Sequence, residues 1–193
     1  MELSDRVIEI FKAIAQVPRQ SKHEAKISAW LADRAKSSGF EVERDDANNV
    51  IIRVPATKGY ENAPIIALQG HMDMVCEKTP TSTHNFDTDP IEVIIEGDWM
   101  HANQTTLGAD DGLGVALALA MAEDPNVEHP RLEIIITSDE ETGMTGAIAL
   151  KPESVQARIL LNLDSEDEGI FTVGCAGGRE TTSTLDLSRA PLV

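Results

Sequence analysis

The sequence predicts an α/β fold, in which buried strands are flanked by helices. Three short apolar runs rich in β-branched residues end at polar breaks, as buried strands do; they cover 65–70, 132–137 and 159–163. Apolar residues recur at helical spacing before the first run and between the first two. A chain of 193 residues is long enough for one domain with a substantial core.

Each of these runs is followed closely by residues that can bind a divalent metal. His71 and Asp73 follow the first run, Glu140 and Glu141 the second, and Asp164 the third. In open α/β sheets, ligands bind at the carboxyl ends of the strands. We therefore expect one imidazole and several carboxylates to converge at one sheet edge, which indicates a metal-dependent hydrolase.

Two helices are predicted near the N-terminus. Apolar residues recur at helical spacing over 7–14, and Ser4 is expected to cap that helix. Ser21 and Glu24 have the spacing of a capping box, which predicts a second helix that ends before Gly39.

Two hairpins are predicted from strand-like segments around turn-prone residues. The first joins 40–44 to 50–54, and the second joins 91–95 to 99–102 across Gly97-Asp98.

The remaining elements lie in the second half of the chain. The alanine- and leucine-rich segment 113–121 predicts a helix, and 145–150 predicts a short one between the second and third apolar runs. After the glycine-rich segment 174–178, residues 181–185 predict a further strand.

Composition excludes several classes of partner and compartment. The formal net charge of −17 argues against nucleic acid and against anionic membrane surfaces, because both require clustered Lys and Arg. Cys76 and Cys175 form no disulfide framework and fit a reducing compartment. The sequence shows no signal peptide and no apolar stretch of membrane-spanning length, so we expect a soluble, cytoplasmic protein.

The two residues after the first run have a spacing that suits a metal ligand and its support. His71 and Asp73 are two residues apart, so their side chains point the same way if the strand continues. A carboxylate beside a ligating imidazole fixes its tautomer. We interpret His71 as a ligand and Asp73 as the residue that orients it.

The other candidate residues have two interpretations each. Asp110 lies just before a helix and is either an ordinary N-cap or a site residue, and the neighbouring glycines favour the site. Glu140 and Glu141 form either a solvated acidic turn or a general base beside a metal ligand. Their position directly after a buried strand favours the second interpretation. Asp164 is preferred to the loop acids 166–168 because it ends the third run.

The order of these motifs and the residues in them resemble those of a known family. His71-Met72-Asp73, 108–112, 140–143 and Asp164 resemble the co-catalytic zinc exopeptidases of the carboxypeptidase G and dipeptidase superfamily. The local sequence around these motifs is more specific. It resembles the aminoacyl-histidine dipeptidases, also called Xaa-His or carnosine-cleaving dipeptidases, in three segments: 107–114, 162–166 and 174–178.

The resemblance implies a three-layer catalytic domain with a mixed, mostly parallel sheet flanked by helices. It also implies a site with two zinc ions (Zn2+), for which Co2+ or Mn2+ can substitute. The implied roles are Asp110 as the bridge, His71 and Asp164 on the first metal, Glu141 on the second, Glu140 as general base and Asp73 as the orienter of His71. The Asp110–Asp111 peptide bond is expected to be cis.

Two departures from the family pattern bear on function. Gly112-Leu113-Gly114 stands where many relatives have a lysine, as in the aminoacyl-histidine subgroup. The family's second-metal histidine lies far downstream, so we expect residues 1–193 to be the N-terminal segment of the catalytic domain, without the lid domain and the C-terminal catalytic segment. A naturally shortened relative is the alternative.

The expected substrate is a small Xaa-His dipeptide such as β-alanyl-histidine, with reduced or no hydrolysis by this segment alone. The full-length enzyme is expected to form a homodimer through its lid. The alternatives are a non-catalytic metal-binding module, or a deacetylase or aminoacylase of the same superfamily.

Overall fold

A computed structural model describes residues 2–165, 169–174, 177 and 181–187. The helices are α1 (Leu3–Ile14), α2 (Ala25–Ser37), α3 (Ala109–Glu123), α4 (Glu140–Gly143) and α5 (Thr145–Ala149), with a 3-10 turn at Pro152–Ser154. The strands are β1 (Glu41–Arg44), β2 (Val50–Val54), β3 (Ile66–His71), β4 (Val93–Glu96), β5 (Trp99–Ala102), β6 (Leu132–Thr137) and β7 (Ile159–Asn162). No helix among the described residues is both long and apolar enough to cross a bilayer.

The main sheet has five strands in the order β1-β2-β6-β3-β7. The pairs β1/β2 and β2/β6 are antiparallel, whereas β6/β3 and β3/β7 are parallel. The register places His71 opposite Thr137 and Gln69 opposite Asn162, so the carboxyl ends of β3, β6 and β7 lie at one edge. The prediction of a mixed sheet flanked by helices is confirmed, as are both hairpins.

The core lies mainly between one face of the sheet and the three long helices. Phe11 and Ile14 from α1, Leu31 from α2 and Leu119 from α3 pack against alternate residues of β2, β3 and β6 in one buried cluster. On the opposite face, Ile51, Ala67 and Ile135 are covered by partly buried residues that follow α5: Leu150, Val155 and Ala157. Because both faces are covered, all six residues of β6 are buried.

The predicted N-terminal caps of α1 and α2 are wrong, whereas Gly39 lies just past the C-terminal end of α2 with a positive φ of 84°, as predicted. The first helix begins at Leu3, and the Glu2 N–H donates to Asp5 Oδ2 at 3.2 Å, so Ser4 lies inside the helix. Glu24 has helical backbone angles and no side-chain cap, because its carboxylate accepts from the Lys22 and Asp139 N–H groups instead. The Ser21–Glu24 spacing therefore serves tertiary contacts rather than a capping box.

The predictions for the C-terminal segment have mixed outcomes. The short helix predicted over 145–150 is confirmed as α5. The strand predicted over 181–185 is wrong, since the described residues 181–187 form no strand. Within the glycine-rich segment 174–178, residues 175, 176 and 178 lie outside the described part of the chain.

Candidate active site

Four of the predicted site carboxylates come together around the imidazole of His71. The ligand atoms of His71, Asp110 and Glu141 all lie within 4.8 Å of one another, and so do those of His71, Glu140 and Asp164. These residues come from the ends of β3 and β7, the start of α3, and α4, which follows β6. The level strand ends bring residues that are distant in sequence to one sheet edge.

The two ring nitrogens of His71 face different groups. Nε2 lies 3.0 Å from Asp110 Oδ1 and 3.9 Å from Asp164 Oδ2. Nδ1 lies 3.1 Å from the backbone oxygen of Asp73 and 3.4 Å from its Oδ1. Burial lowers the pKa of His71, but the hydrogen bond and charge of Asp73 outweigh this and raise it to about 9. Asp73 therefore orients the imidazole with Nε2 directed at the carboxylate cluster.

Asp73 also connects the first strand end to the second. Its fully buried carboxylate accepts the backbone N–H groups of Glu140 at 3.0 Å and Glu141 at 3.2 Å, and the Ser21 hydroxyl at 2.7 Å. Burial raises the pKa of Asp73, but the hydrogen bonds with His71, Glu140 and Ser21 lower it to about 2. A single anion thus fixes both the imidazole and the backbone that carries the two glutamates.

The start of α3 has an unusual backbone that places two acids differently. The Asp110–Asp111 peptide bond is cis, as the resemblance implied, and both residues have non-helical backbone angles. The Asp110 side chain contacts His71 rather than capping the helix, and it is half-exposed. The sequence therefore located this residue correctly at a helix start, and its contacts support the interpretation as a site residue.

Asp111 is a buried acid that the sequence did not single out. Its carboxylate accepts the His71 N–H at 3.1 Å. Burial, opposed by the charge of His71, raises its pKa to about 7. A Cβ atom added at Gly70 or Gly114 would overlap this carboxylate, so these two glycines make room for it.

The cluster carries more negative charge than the protein itself neutralises. Burial raises the pKa of Glu141, and the charge of Asp110 raises it further. Burial also raises the pKa of Asp164, opposed by His71 and reinforced by Asp110. Carboxylate oxygens with one imidazole nitrogen are ligands that zinc takes, and a divalent cation would offset this crowding. The donor set therefore fits a metal centre.

A second group of acids lies beside the site, and its carboxylates already accept hydrogen bonds from groups of the protein. Glu24, Asp73 and Asp139 are all buried, with ligand atoms within 4.8 Å of one another. Asp139 accepts the Thr142 and Thr145 hydroxyls, and Glu24 accepts the Asp139 N–H at 3.0 Å. These bonds hold the turn that carries Glu140 and Glu141. Sequence reasoning missed this support, because its partners lie far apart in the chain.

Comparisons with known proteins give a consistent result. Residues 67–175 match the model of peptidase family M20/M25/M40. The chain is 48% identical over 181 residues to the cytosol non-specific dipeptidase of Escherichia coli K12, covering 94% of this chain and 37% of that protein.

Solved structures agree with this. The aminoacylhistidine dipeptidase of Vibrio alginolyticus aligns with a TM-score of 0.83 and 42% identity, covering 88% of this chain and 35% of that one. The aminopeptidase PepT of Bacillus cereus aligns with a TM-score of 0.69 and 30% identity, covering 84% of this chain and 44% of that one. The chain therefore spans between a third and a half of the length of these relatives.

Proposed function

This chain belongs to peptidase family M20/M25/M40, and on that premise we propose that it forms the metal-binding part of a zinc-dependent dipeptidase. The observation that carries the proposal is the gathering of four carboxylates around His71, with Asp110 and Asp164 on the Nε2 side of its ring. The proposed substrates are Xaa-His dipeptides such as β-alanyl-histidine, supported by the likeness to the Vibrio aminoacylhistidine dipeptidase. Because the E. coli relative is named a non-specific dipeptidase, hydrolysis of dipeptides without histidine should be tested as well.

The proposed metal ligands are His71, Asp110, Glu141 and Asp164, with Asp110 as the bridge between two ions. Zinc held there would polarise the scissile carbonyl and favour attack by water. Glu140 is proposed as the general base that takes the proton from the attacking water and passes it to the leaving amine. Its backbone N–H donates to Asp73, and one of its carboxylate oxygens lies within 4.8 Å of ligand atoms of His71 and Asp164.

The coverage of the relatives supports a further part of the proposal. We assign residues 1–193 to the N-terminal segment of the catalytic domain, and assign the lid, the last metal ligand and a homodimer contact to the remainder of a longer protein. The chain covers 37% of the E. coli relative and 35% of the Vibrio structure. The proposed location is the cytosol, in keeping with the name of the E. coli relative.

Metal content and dipeptide hydrolysis test the proposal together. The purified chain should bind about one zinc ion tightly, because the second ion would have only Asp110 and Glu141 from this chain. Hydrolysis of β-alanyl-histidine, with alanyl-alanine as the comparison, should be weak in this chain and robust in the longer protein. Absence of bound zinc would contradict the proposal.

The variant Glu140→Gln tests the assignment of the base in the longer protein. It should keep its zinc and lose hydrolysis by roughly 10²- to 10⁴-fold, which is the usual contribution of a general base. Glu153→Gln, on the exposed 3-10 turn, is the matched control and should leave both unchanged. Loss of metal in Glu140→Gln would mean that the roles of Glu140 and Glu141 are exchanged.

The same assays separate the other functions. Hydrolysis of N-acyl amino acids in place of dipeptides would identify a deacetylase or aminoacylase. Zinc binding by the longer protein without hydrolysis of either substrate class would identify a non-catalytic metal-binding module.

A further inference from the structure

Arg19 is a buried arginine that lies outside all four site motifs. It sits between α1 and α2, and its side chain is 3% exposed. Burial lowers its pKa to about 10, with Asp73 as the largest opposing charge, so the side chain stays protonated at neutral pH. A buried cation requires hydrogen-bond acceptors or opposite charges around it, and these partners show which parts of the site Arg19 contacts.

The guanidinium binds backbone carbonyls from two different segments. Nη1 donates to the carbonyl oxygens of Met72 at 3.0 Å and Asp73 at 3.1 Å. Nη2 donates to the carbonyl oxygen of Gly108. The first two carbonyls follow His71 directly, and the third belongs to the residue two positions before Asp110. One planar group therefore bonds both to the segment after β3 and to the segment that leads into α3.

Two motif glycines make room for this guanidinium. A Cβ atom at Gly108 would collide with Nη2, and one at Gly112 would lie 2.8 Å from Nη2 and 2.9 Å from Phe11 Cε2. Gly108 also has a φ of 72°, which favours glycine. Side chains at these two positions would therefore displace the guanidinium.

We infer that Arg19 is a positioning residue for the metal centre, which sets the placement of Asp110 relative to His71 by bonding to the backbone of both segments. The inference rests on the proposed function, since it takes His71 and Asp110 as ligands. His71 Nε2 and Asp110 Oδ1 lie 3.0 Å apart, although the two residues are 39 positions apart in the chain. A second link between these segments, the Asp111 bond to the His71 N–H, involves one chain segment on each side. Arg19 adds a third segment, which restricts how the two can shift.

The test uses Co2+ as a probe, because its visible absorption reports coordination geometry. The variant Arg19→Lys keeps the charge, but its single nitrogen cannot reproduce the planar fork in which Nη1 bonds to Met72 and Asp73 and Nη2 to Gly108. Arg19→Met removes all three bonds while it keeps an extended side chain. Arg53→Lys is the matched control, since Arg53 bonds to Glu43 and the Ser154 carbonyl near the other end of β2 and β6.

Arg19→Lys should weaken Co2+ binding by roughly tenfold or more, the usual cost of losing a supporting partner, and should change the visible spectrum. Arg19→Met should weaken it further, and Arg53→Lys should do neither. Amide hydrogen exchange in the metal-free chain should increase at Met74 and Gly112 in Arg19→Lys, without an increase in β6. Met74 N–H donates to the Arg19 carbonyl and Gly112 N–H to that of Gly108, so both report on this region.

The outcomes separate this inference from the proposed function. If the unmodified chain binds no Co2+, the proposed metal site is wrong and the inference falls with it. If the unmodified chain binds Co2+ and Arg19→Lys binds it within about twofold with the same spectrum, only the inference is overturned. If Arg19→Met does not fold, the result with Arg19→Lys decides.

Discussion

Replacing Asp73 with asparagine tests the connection between the two strand ends that carry the site. The carboxylate is fully buried and accepts the N–H groups of Glu140 and Glu141 while it pairs with His71. Asparagine has one carbonyl oxygen and one NH2 group, so its NH2 group would face the backbone N–H of either Glu140 or Glu141, and two donors would meet. The variant therefore loses the charge and leaves at least one buried N–H without an acceptor.

The pKa values give the size of the charged part of this loss. The pKa of Asp73 falls from 3.8 to about 2, and that of His71 rises from 6.5 to about 9. The two changes differ in size because Asp111 and Asp164 also raise the pKa of His71, while hydrogen bonds from Glu140 and Ser21 also lower that of Asp73. At about 1.4 kcal/mol per pKa unit, the fall in the pKa of Asp73 corresponds to about 2.5 kcal/mol, which is an upper limit for the ion pair. The unpaired N–H adds about 1–3 kcal/mol.

The pH dependence of the loss has a definite sign. Asp73 stabilises the fold above pH 3.8, and its contribution is lost as the pH falls through 2. His71 stabilises the fold below pH 6.5, and its contribution is lost as the pH rises through 9. The difference in free energy of unfolding between the two proteins should be largest between pH 4 and 6.5, and should fall by about 2 kcal/mol by pH 10.

Urea unfolding of the metal-free chain in the presence of a chelator measures this difference. Trp30, which is partly buried on α2, provides the fluorescence signal. Asp89→Asn is the control, because Asp89 also accepts backbone and hydroxyl donors but is only partly buried, and these hydrogen bonds are exposed to solvent. It should cause a much smaller change with no feature between pH 6.5 and 10. An equal loss at pH 6 and pH 10 in Asp73→Asn would refute the buried ion pair.

Two further substitutions test the packing behind the site. Phe11→Ala should lower the free energy of unfolding by about 3–5 kcal/mol in urea titrations, because Phe11 is fully buried between α1, α3 and the sheet; a loss under about 1 kcal/mol would contradict this packing. Gly114→Ala should cost about 1–3 kcal/mol and weaken zinc binding in calorimetric titrations, because the new Cβ would overlap the Asp111 carboxylate and lie 3.0 Å from Leu163 Cβ. Zinc affinity equal to that of the unmodified chain would show that Asp111 can move without cost.

Much of the site could be predicted from sequence because its residues follow buried strands. The centre of the segment 132–137, from Ile134 to Ile136, is apolar on both faces of the strand, so the strand could be predicted without knowledge of its partners. The residues that follow such strand ends must meet at one edge when the strands are parallel and level. This is why His71, Glu140 and Asp164 could be grouped although they are far apart in the chain.

The supporting residues could not be predicted, because local patterns do not specify distant partners. The Ser21–Glu24 spacing is the same for a helix cap as for bonds to Asp73 and Asp139, which lie 52 and 115 residues further along. Arg19 bonds to backbone carbonyl oxygens, which every residue carries. Its partners therefore cannot be recognised from their residue types. The strand-like segment 181–185 has the composition of a strand but no pairing partner in the described part of the chain.

Strand β7 has a consequence for how this chain behaves at high concentration. It pairs with β3 on one side, and no strand pairs with its other side among the described residues. Ile159, Leu160 and Leu161 are 45%, 55% and 45% exposed. An open apolar edge can accept a strand from another molecule, and aggregation would begin there. The net charge of −17 opposes this by mutual repulsion, which salt screens over about 10 Å at 0.1 M. Concentrated samples should therefore remain dispersed at low ionic strength and associate as salt is added.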